Sequence, residues 1–287
     1  MSRSPCRHMT PGPLLVIALM ASVLSAMAAE ADKGKLLFSK ICATCHGGRG
    51  EGRTMGGQSF PTIAGLPAWY VELQLQNFRQ DVRGAHGGDT LGLLMRPIAR
   101  SVKSEQAVKD VATYIEQLPR AHPSRTVEEI VILKDGNPLV GVTKPKSDQE
   151  IIVQVAGSGE VTIQKSAIQK LSRVNLEHGA TLYKNVCAAC HGDKFQGNPD
   201  PNIKAPSHKP LGDWYMLKQL QNFSSGVRGT HAKDVGGAKM VPIAKNVLKD
   251  MAASLKISQE EASASVVAYI FASREQADAS LPVSKKP

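Results

Sequence analysis

Aromatic residues are scarce, with Phe, Trp and Tyr together making up 5% of the 287 residues. The length favours about two domains of ordinary size. With so few rings to bury, such domains need another filler, and a large embedded cofactor is one. Long hydrophobic runs are missing too. Leu14 to Leu24 (LLVIALMASVL) is an apolar run of 11 residues, about half of what a membrane-crossing helix requires. It follows Arg3, Arg7 and His8 and precedes Ala26-Met27-Ala28, the layout of a cleavable export signal. Residues 1–28 are therefore expected to be a signal peptide and the mature chain to start near Ala29 with no transmembrane helix. The net charge is +10, yet no compact Lys/Arg stripe and no basic–aromatic alternation occurs, so no nucleic-acid partner is expected. Residues 30–120 carry +3, residues 121–172 balance to zero and residues 173–287 carry +5. Such a surplus speeds encounter with acidic partners.

Cysteines to spare are also lacking. Of five, Cys6 lies in the expected signal peptide, and the other four are Cys42 and Cys45 in CATCH (42–46) and Cys187 and Cys190 in CAACH (187–191). None remains for a structural disulfide. Two cysteines separated by two residues, with a histidine directly after them, form the attachment signature of c-type haem. Two thioether bonds tie the macrocycle to the chain, and the following residue, His46 or His191, is held against one face of the iron. The sequence thus implies two covalently bound haem c groups. Their attachment takes place after export, in keeping with the N-terminal signal.

The two motifs belong to a longer repeat. A shift of 145 residues aligns Cys42 with Cys187 and continues without a gap to Ala99 and Ala244, with 25 of 58 positions identical. WYVELQLQNFRQDVRGAH (69–86) matches WYMLKQLQNFSSGVRGTH (214–231), and MRPIA (95–99) matches MVPIA (240–244). Each copy reads as a first helix carrying the haem motif, a structureless Gly/Pro-rich stretch, a second helix from near Trp69 or Trp214, a methionine loop and a last helix. The last helices, VKDVATYIEQL (108–118) and EEASASVVAYIFAS (260–273), align only at a shift of 155, so the second copy holds about ten extra residues near 250–259. Between the copies, residues 126–172 alternate short β-rich runs with turn signals. They are expected to form an antiparallel unit of four or five strands closed by SAIQKL (166–171). With no Cys, His or Met, this unit is read as a spacer or a docking module. The expected divisions are 29–122 and 173–275 for the haem domains, 126–172 for the β unit and 276–287 for a tail.

The second axial ligand decides what each iron can do. A thioether ligand raises the potential and favours the reduced iron. Met95 lies 49 residues after His46, and Met240 lies 49 after His191, each followed by x-Pro-Ile-Ala, read as a rigid, extended approach to the iron. Met55 has no counterpart, since Asp200 stands at the matching place. His86 and His231, in RGxHxxD, are repeated as well and compete as distal ligands. The alternative for them is to brace their loops through Asp89 or Asp234, or to hold a haem propionate. Arg83 and Arg228 suit a carboxylate, and Trp69 and Trp214 offer an indole N–H beside an apolar ring.

With these blocks the chain resembles tandem class I cytochromes c, the dihaem electron carriers of bacteria, over residues 30–120 and 173–273. The resemblance implies a mainly α fold of two helical haem domains joined here by the small β unit. It also implies a periplasmic location and passage of single electrons through two His/Met-ligated haems, for example from a dehydrogenase to a terminal oxidase, with no enzymatic activity. The partners would be redox proteins with acidic docking surfaces. Two other readings stay open: a dihaem enzyme, such as a peroxidase or sulfur-compound oxidoreductase, with one displaceable distal ligand, and a haem sensor or scaffold that uses the β unit. The insert is a departure from the family and raises the question of whether the two haems lie close together.

Overall fold

A computed structural model describes residues 32–120, 125–135 and 137–279; the expected signal peptide, Cys6 and the tail from residue 280 lie outside the described residues. Helix α1 covers residues 32–46. It passes through a π turn, Phe38–Cys42, directly before Ala43–His46. Gly47, at φ 84°, stops it, a conformation that glycine takes at no steric cost. A hairpin of β1 (Arg53–Met55) and β2 (Gln58–Phe60) follows, where the sequence was expected to be structureless. Helices α2 (Ala68–Arg79), α3 (Thr90–Ser101) and α4 (Glu105–Gln117) complete the first haem domain.

The second domain repeats the scheme. Helix α5 (Leu176–His191) has its own π turn, Tyr183–Cys187, before the haem motif. Helices α6 (Asp213–Ser224), α7 (Val235–Ser254) and α8 (Gln259–Ala279) follow. The additional residues lengthen α7 through a third π turn, Ile243–Val247. In both domains the first helix crosses the last at a glycine. A Cβ on Gly34 would lie 2.2 Å from the Asp110 carbonyl, and one on Gly179 would lie 2.1 Å from that of Ser265. The backbones therefore touch, and only glycine fits there.

The insert is a five-stranded antiparallel sheet. Its strands are β3 (Glu129–Leu133), β4 (Pro138–Pro145), β5 (Glu150–Val155), β6 (Glu160–Gln164) and β7 (Ile168–Arg173), in the order β6-β5-β4-β3-β7. The expected closing run is itself β7, which pairs with β3. Successive side chains of a strand face opposite ways, so β3 feeds two cores. Ile130 joins the core shared with the haem domains, while Val131 packs with Ile151 and Val153 on the other face.

The insert is fastened to the second domain. Buried Asp213 accepts from Thr126 N (2.6 Å), Thr126 Oγ1 (2.7 Å) and Val127 N (2.8 Å). The β5–β6 turn places Gly157 against Trp214, where an added Cβ would lie 2.4 Å from the indole. Glu261 on α8 receives Lys170 Nζ at 2.5 Å and Ser172 Oγ at 3.3 Å from β7.

Two candidate haem sites

Each domain has a largely apolar cleft, of about 1230 Å³ in the first and 1290 Å³ in the second, open mouths included. The first brings together Cys42, Cys45, His46 and Met95. The second brings together Cys187, Cys190, His191 and Met240. Residues 49 apart in the chain thus meet in one cavity twice over.

The two histidines are buried and oriented alike. Nδ1 of His46 lies 2.8 Å from the Pro61 carbonyl, and Nδ1 of His191 lies 2.9 Å from that of Pro206. A carbonyl only accepts, so Nδ1 carries the proton and Nε2 keeps its lone pair. Such an outer hydrogen bond sets the tautomer and the ring direction of a metal-binding imidazole. Burial lowers the pKa of both rings, against the opposing pull of the carbonyls, and so favours the neutral form that can bind a metal. Burial, then the neighbouring Cys45, pushes the Cys42 thiol up to about 12; burial, then Cys190, does the same to Cys187. A thioether has no ionisation, so a sulfur bonded to haem sits in this apolar wall without that penalty.

Met95 lies on α3 and Met240 on the first part of α7, which corrects the expected loop and extended approach. The reason is the cap. Asp89 and Asp234 accept from the N–H three residues on, Gly92 at 3.0 Å and Gly237 at 2.9 Å, and launch helices that run through Pro97 and Pro242. Proline removes one donor from such a helix, but Leu91, Leu94, Met95 and Ile98 still recur at helical spacing along the cavity wall.

The remaining expected residues fall into three places. Arg83 lines the first cavity and Arg228 the second, both buried. His86 and His231 are exposed and line neither. Each brace is local, with Gly88 N donating to His86 Nδ1 (3.0 Å) and Lys233 N to His231 Nδ1 (3.1 Å), while the backbone N–H groups of Asp89 and Asp234 donate to the carbonyls of His86 and His231. Trp69 borders the second cavity and not that of its own domain. Trp214 borders neither, because the insert's turn lies against its ring.

The guanidiniums meet across the domain interface. Arg83 Nη1 donates to Gln74 Oε1 (2.7 Å), and its Nη2 donates to Tyr215 Oη (2.7 Å) and Gln219 Oε1 (3.1 Å). Arg228 mirrors this, with Gln219 Oε1 at 2.6 Å, Tyr70 Oη at 3.4 Å and Gln74 Oε1 at 3.0 Å. Thr62 Oγ1 adds a bond to the Pro210 carbonyl at 2.5 Å. Tyr70, Gln74, Leu211, Tyr215 and Gln219 line both cavities, so the two clefts share a wall. Arg83 Nε and Arg228 Nε are buried without a partner. Unpaired donors beside an apolar cleft suit the carboxylates at the edge of a haem, and the residues present fit that group.

Pro61, Pro206, Tyr70, Tyr215, Gln74 and Gln219 escaped the reading of the sequence. Their signal was identity between the copies; what they touch was not visible in one dimension.

The cytochrome c family model matches residues 31–119 and 176–272. The chain belongs to the cytochrome c family. It is a dihaem class I member, with two covalently bound haem c groups. It is 32% identical over 111 residues to a "Thiosulfate dehydrogenase electron acceptor" of Stutzerimonas stutzeri, covering 36% of this chain and 47% of that protein. It is 35% identical over 77 residues to cytochrome c4 of Azotobacter vinelandii, covering 27% and 34%. The chain thus spans about half or less of the length of these two relatives. The crystal structure of reduced cytochrome c4 from Pseudomonas stutzeri aligns over 84% of this chain and 97% of its own, at 19% identity and a TM-score of 0.48. Among the described residues, no helix is long and apolar enough to cross a membrane.

Proposed function

We propose that this cytochrome is a periplasmic carrier that passes single electrons through two His/Met-ligated haems, without being an enzyme itself. His46 with Met95, and His191 with Met240, are the axial pairs. The observation that carries the reading is the wall of five residues common to both clefts. Haems held in these clefts would share that wall, so that an electron taken up at one could leave from the other. A sulfur and an imidazole on each iron leave no open position for substrate, and Met/His ligation suits a high-potential carrier. The donor is a dehydrogenase, in line with the relative named as an electron acceptor of one. The acceptor is an oxidase or another redox protein. Both present acidic surfaces to a mature chain whose residues 30–287 carry +8.

The test is spectroscopic. The oxidised protein should show the far-red band of Met–iron bonding at two equivalents per chain. Replacing Met95 or Met240 singly should remove one equivalent and lower one midpoint. High-spin iron in the unmodified protein, or turnover of peroxide, would refute the carrier reading. N-terminal sequencing of the exported protein should start near Ala29.

A further inference from the structure

The two clefts differ at several lining positions, and one of these differences lies directly against the proximal histidine. Ile63, two residues after Pro61, is replaced by His208, two residues after Pro206. The His208 ring stacks on the His191 ring with centroids 4.0 Å apart and planes 24° from parallel. It lines the second cavity, and its Nδ1 is buried without a hydrogen-bond partner. The first site offers the aliphatic Ile63 at the equivalent place.

This placement is built and held. His208 N donates to the Phe195 carbonyl at 3.0 Å. Arg274 Nη1, reaching in from α8, donates to the carbonyls of His208 (3.0 Å), Lys209 (2.9 Å) and Leu211. The Tyr183 ring stands edge-on at 6.3 Å. A buried polar group left unpaired costs stability, and an isoleucine in its place would not.

We propose that His208 is a positioning residue that lowers the reduction potential of the second haem, making the two haems unequal. The proposal rests on His191 being the proximal ligand. Oxidation adds one positive charge to the iron, and part of it spreads onto the bound imidazole. A polarisable ring face against that imidazole stabilises the positive form, whereas an isoleucine methyl does so far less. The oxidised second haem is therefore favoured. Arg274 opposes this with its own charge, but its hydrogen bonds to the 208, 209 and 211 carbonyls are to backbone and persist when the side chain at 208 changes.

The experiment is a spectroelectrochemical titration of the full holoprotein, with the second midpoint identified by its displacement in a Met240 variant. H208I should raise that midpoint alone. At a fixed potential near it, the reduced-to-oxidised ratio of the second haem should rise roughly threefold to tenfold, the range expected from an aromatic pair. H208F should keep the unmodified midpoint, because it keeps the stack. I63H should lower the first midpoint and leave the second in place. If H208I fails to retain its second haem, H208F and I63H decide. Unchanged midpoints in H208I, equal movement of both, or an H208F shift as large as that of H208I would overturn the proposal. Absence of histidine–iron coordination in the unmodified protein would instead refute the ligand assignment, so the two failures are distinct.

Discussion

Removing the interface arginines one at a time and then together should reveal a cooperative lock. Gln74 Oε1 and Gln219 Oε1 each receive both guanidiniums, whereas Tyr215 Oη receives only Arg83 and Tyr70 Oη only Arg228. R83M leaves both glutamine oxygens with one donor and strands a single tyrosine hydroxyl. A stranded buried group costs about 1–3 kcal/mol, so each single variant should lose about 2 kcal/mol. The double variant strands the two tyrosine hydroxyls and the two glutamine oxygens together. Its loss should reach about 8 kcal/mol, about 4 kcal/mol beyond the sum of the singles. Repulsion between the two guanidiniums acts in the same direction, because either single replacement already relieves it. Methionine keeps the stem that packs on Phe78 or Phe223, each ring centroid 4.6 Å from its guanidinium carbon. Guanidinium unfolding of the four holoproteins measures the cycle. Losses that add within about 0.5 kcal/mol would refute the shared-acceptor reasoning.

Further outcomes follow from single contacts. G157A should lose about 2 kcal/mol through a clash with Trp214 at a φ of +77°, whereas G159A, with open space around it, should melt like the unmodified protein. Burial would raise the pKa of Glu261, but Lys170, the Ser258 N–H and Ser172 hold it below its ordinary 4.5. A carboxylate with a depressed folded pKa lends stability that is full above the unfolded value and lost as pH falls through the folded one. E261Q should therefore cost about 1 kcal/mol at neutral pH, a figure reduced by the half-exposed Lys170, and should flatten the stability profile below about pH 4.5; unfolding midpoints between neutral and acid pH check both. Electron transfer to an acidic redox partner should slow as salt rises, and stopped-flow rates independent of ionic strength would remove charge steering from the account.

The helices were legible because their signals are local. Apolar spacing marked α1 and α5. The methionine segment was misread for the same reason: proline is a strong local punctuator, but here the cap and the cavity-facing stripe outweigh one lost donor. Trp69 and Trp214 look equivalent in the repeat, yet the β5–β6 turn lies on Trp214 alone, and no pattern around residue 214 announces a glycine at 157. The hairpin Arg53–Phe60 rose from a stretch with little periodicity.

The sequence by itself determined the features that are carried in a few consecutive residues or repeated at a fixed distance: the two Cys-x-x-Cys-His motifs and the equally spaced pair of methionines. Tertiary structure alone decided that the two clefts share a wall, that Arg83 and Arg228 exchange partners across it, that the β unit is fastened to the second domain, and that His208 lies flat against His191. These are contacts between residues that the chain separates but packing joins, and their energies depend on burial and geometry rather than on order along the chain.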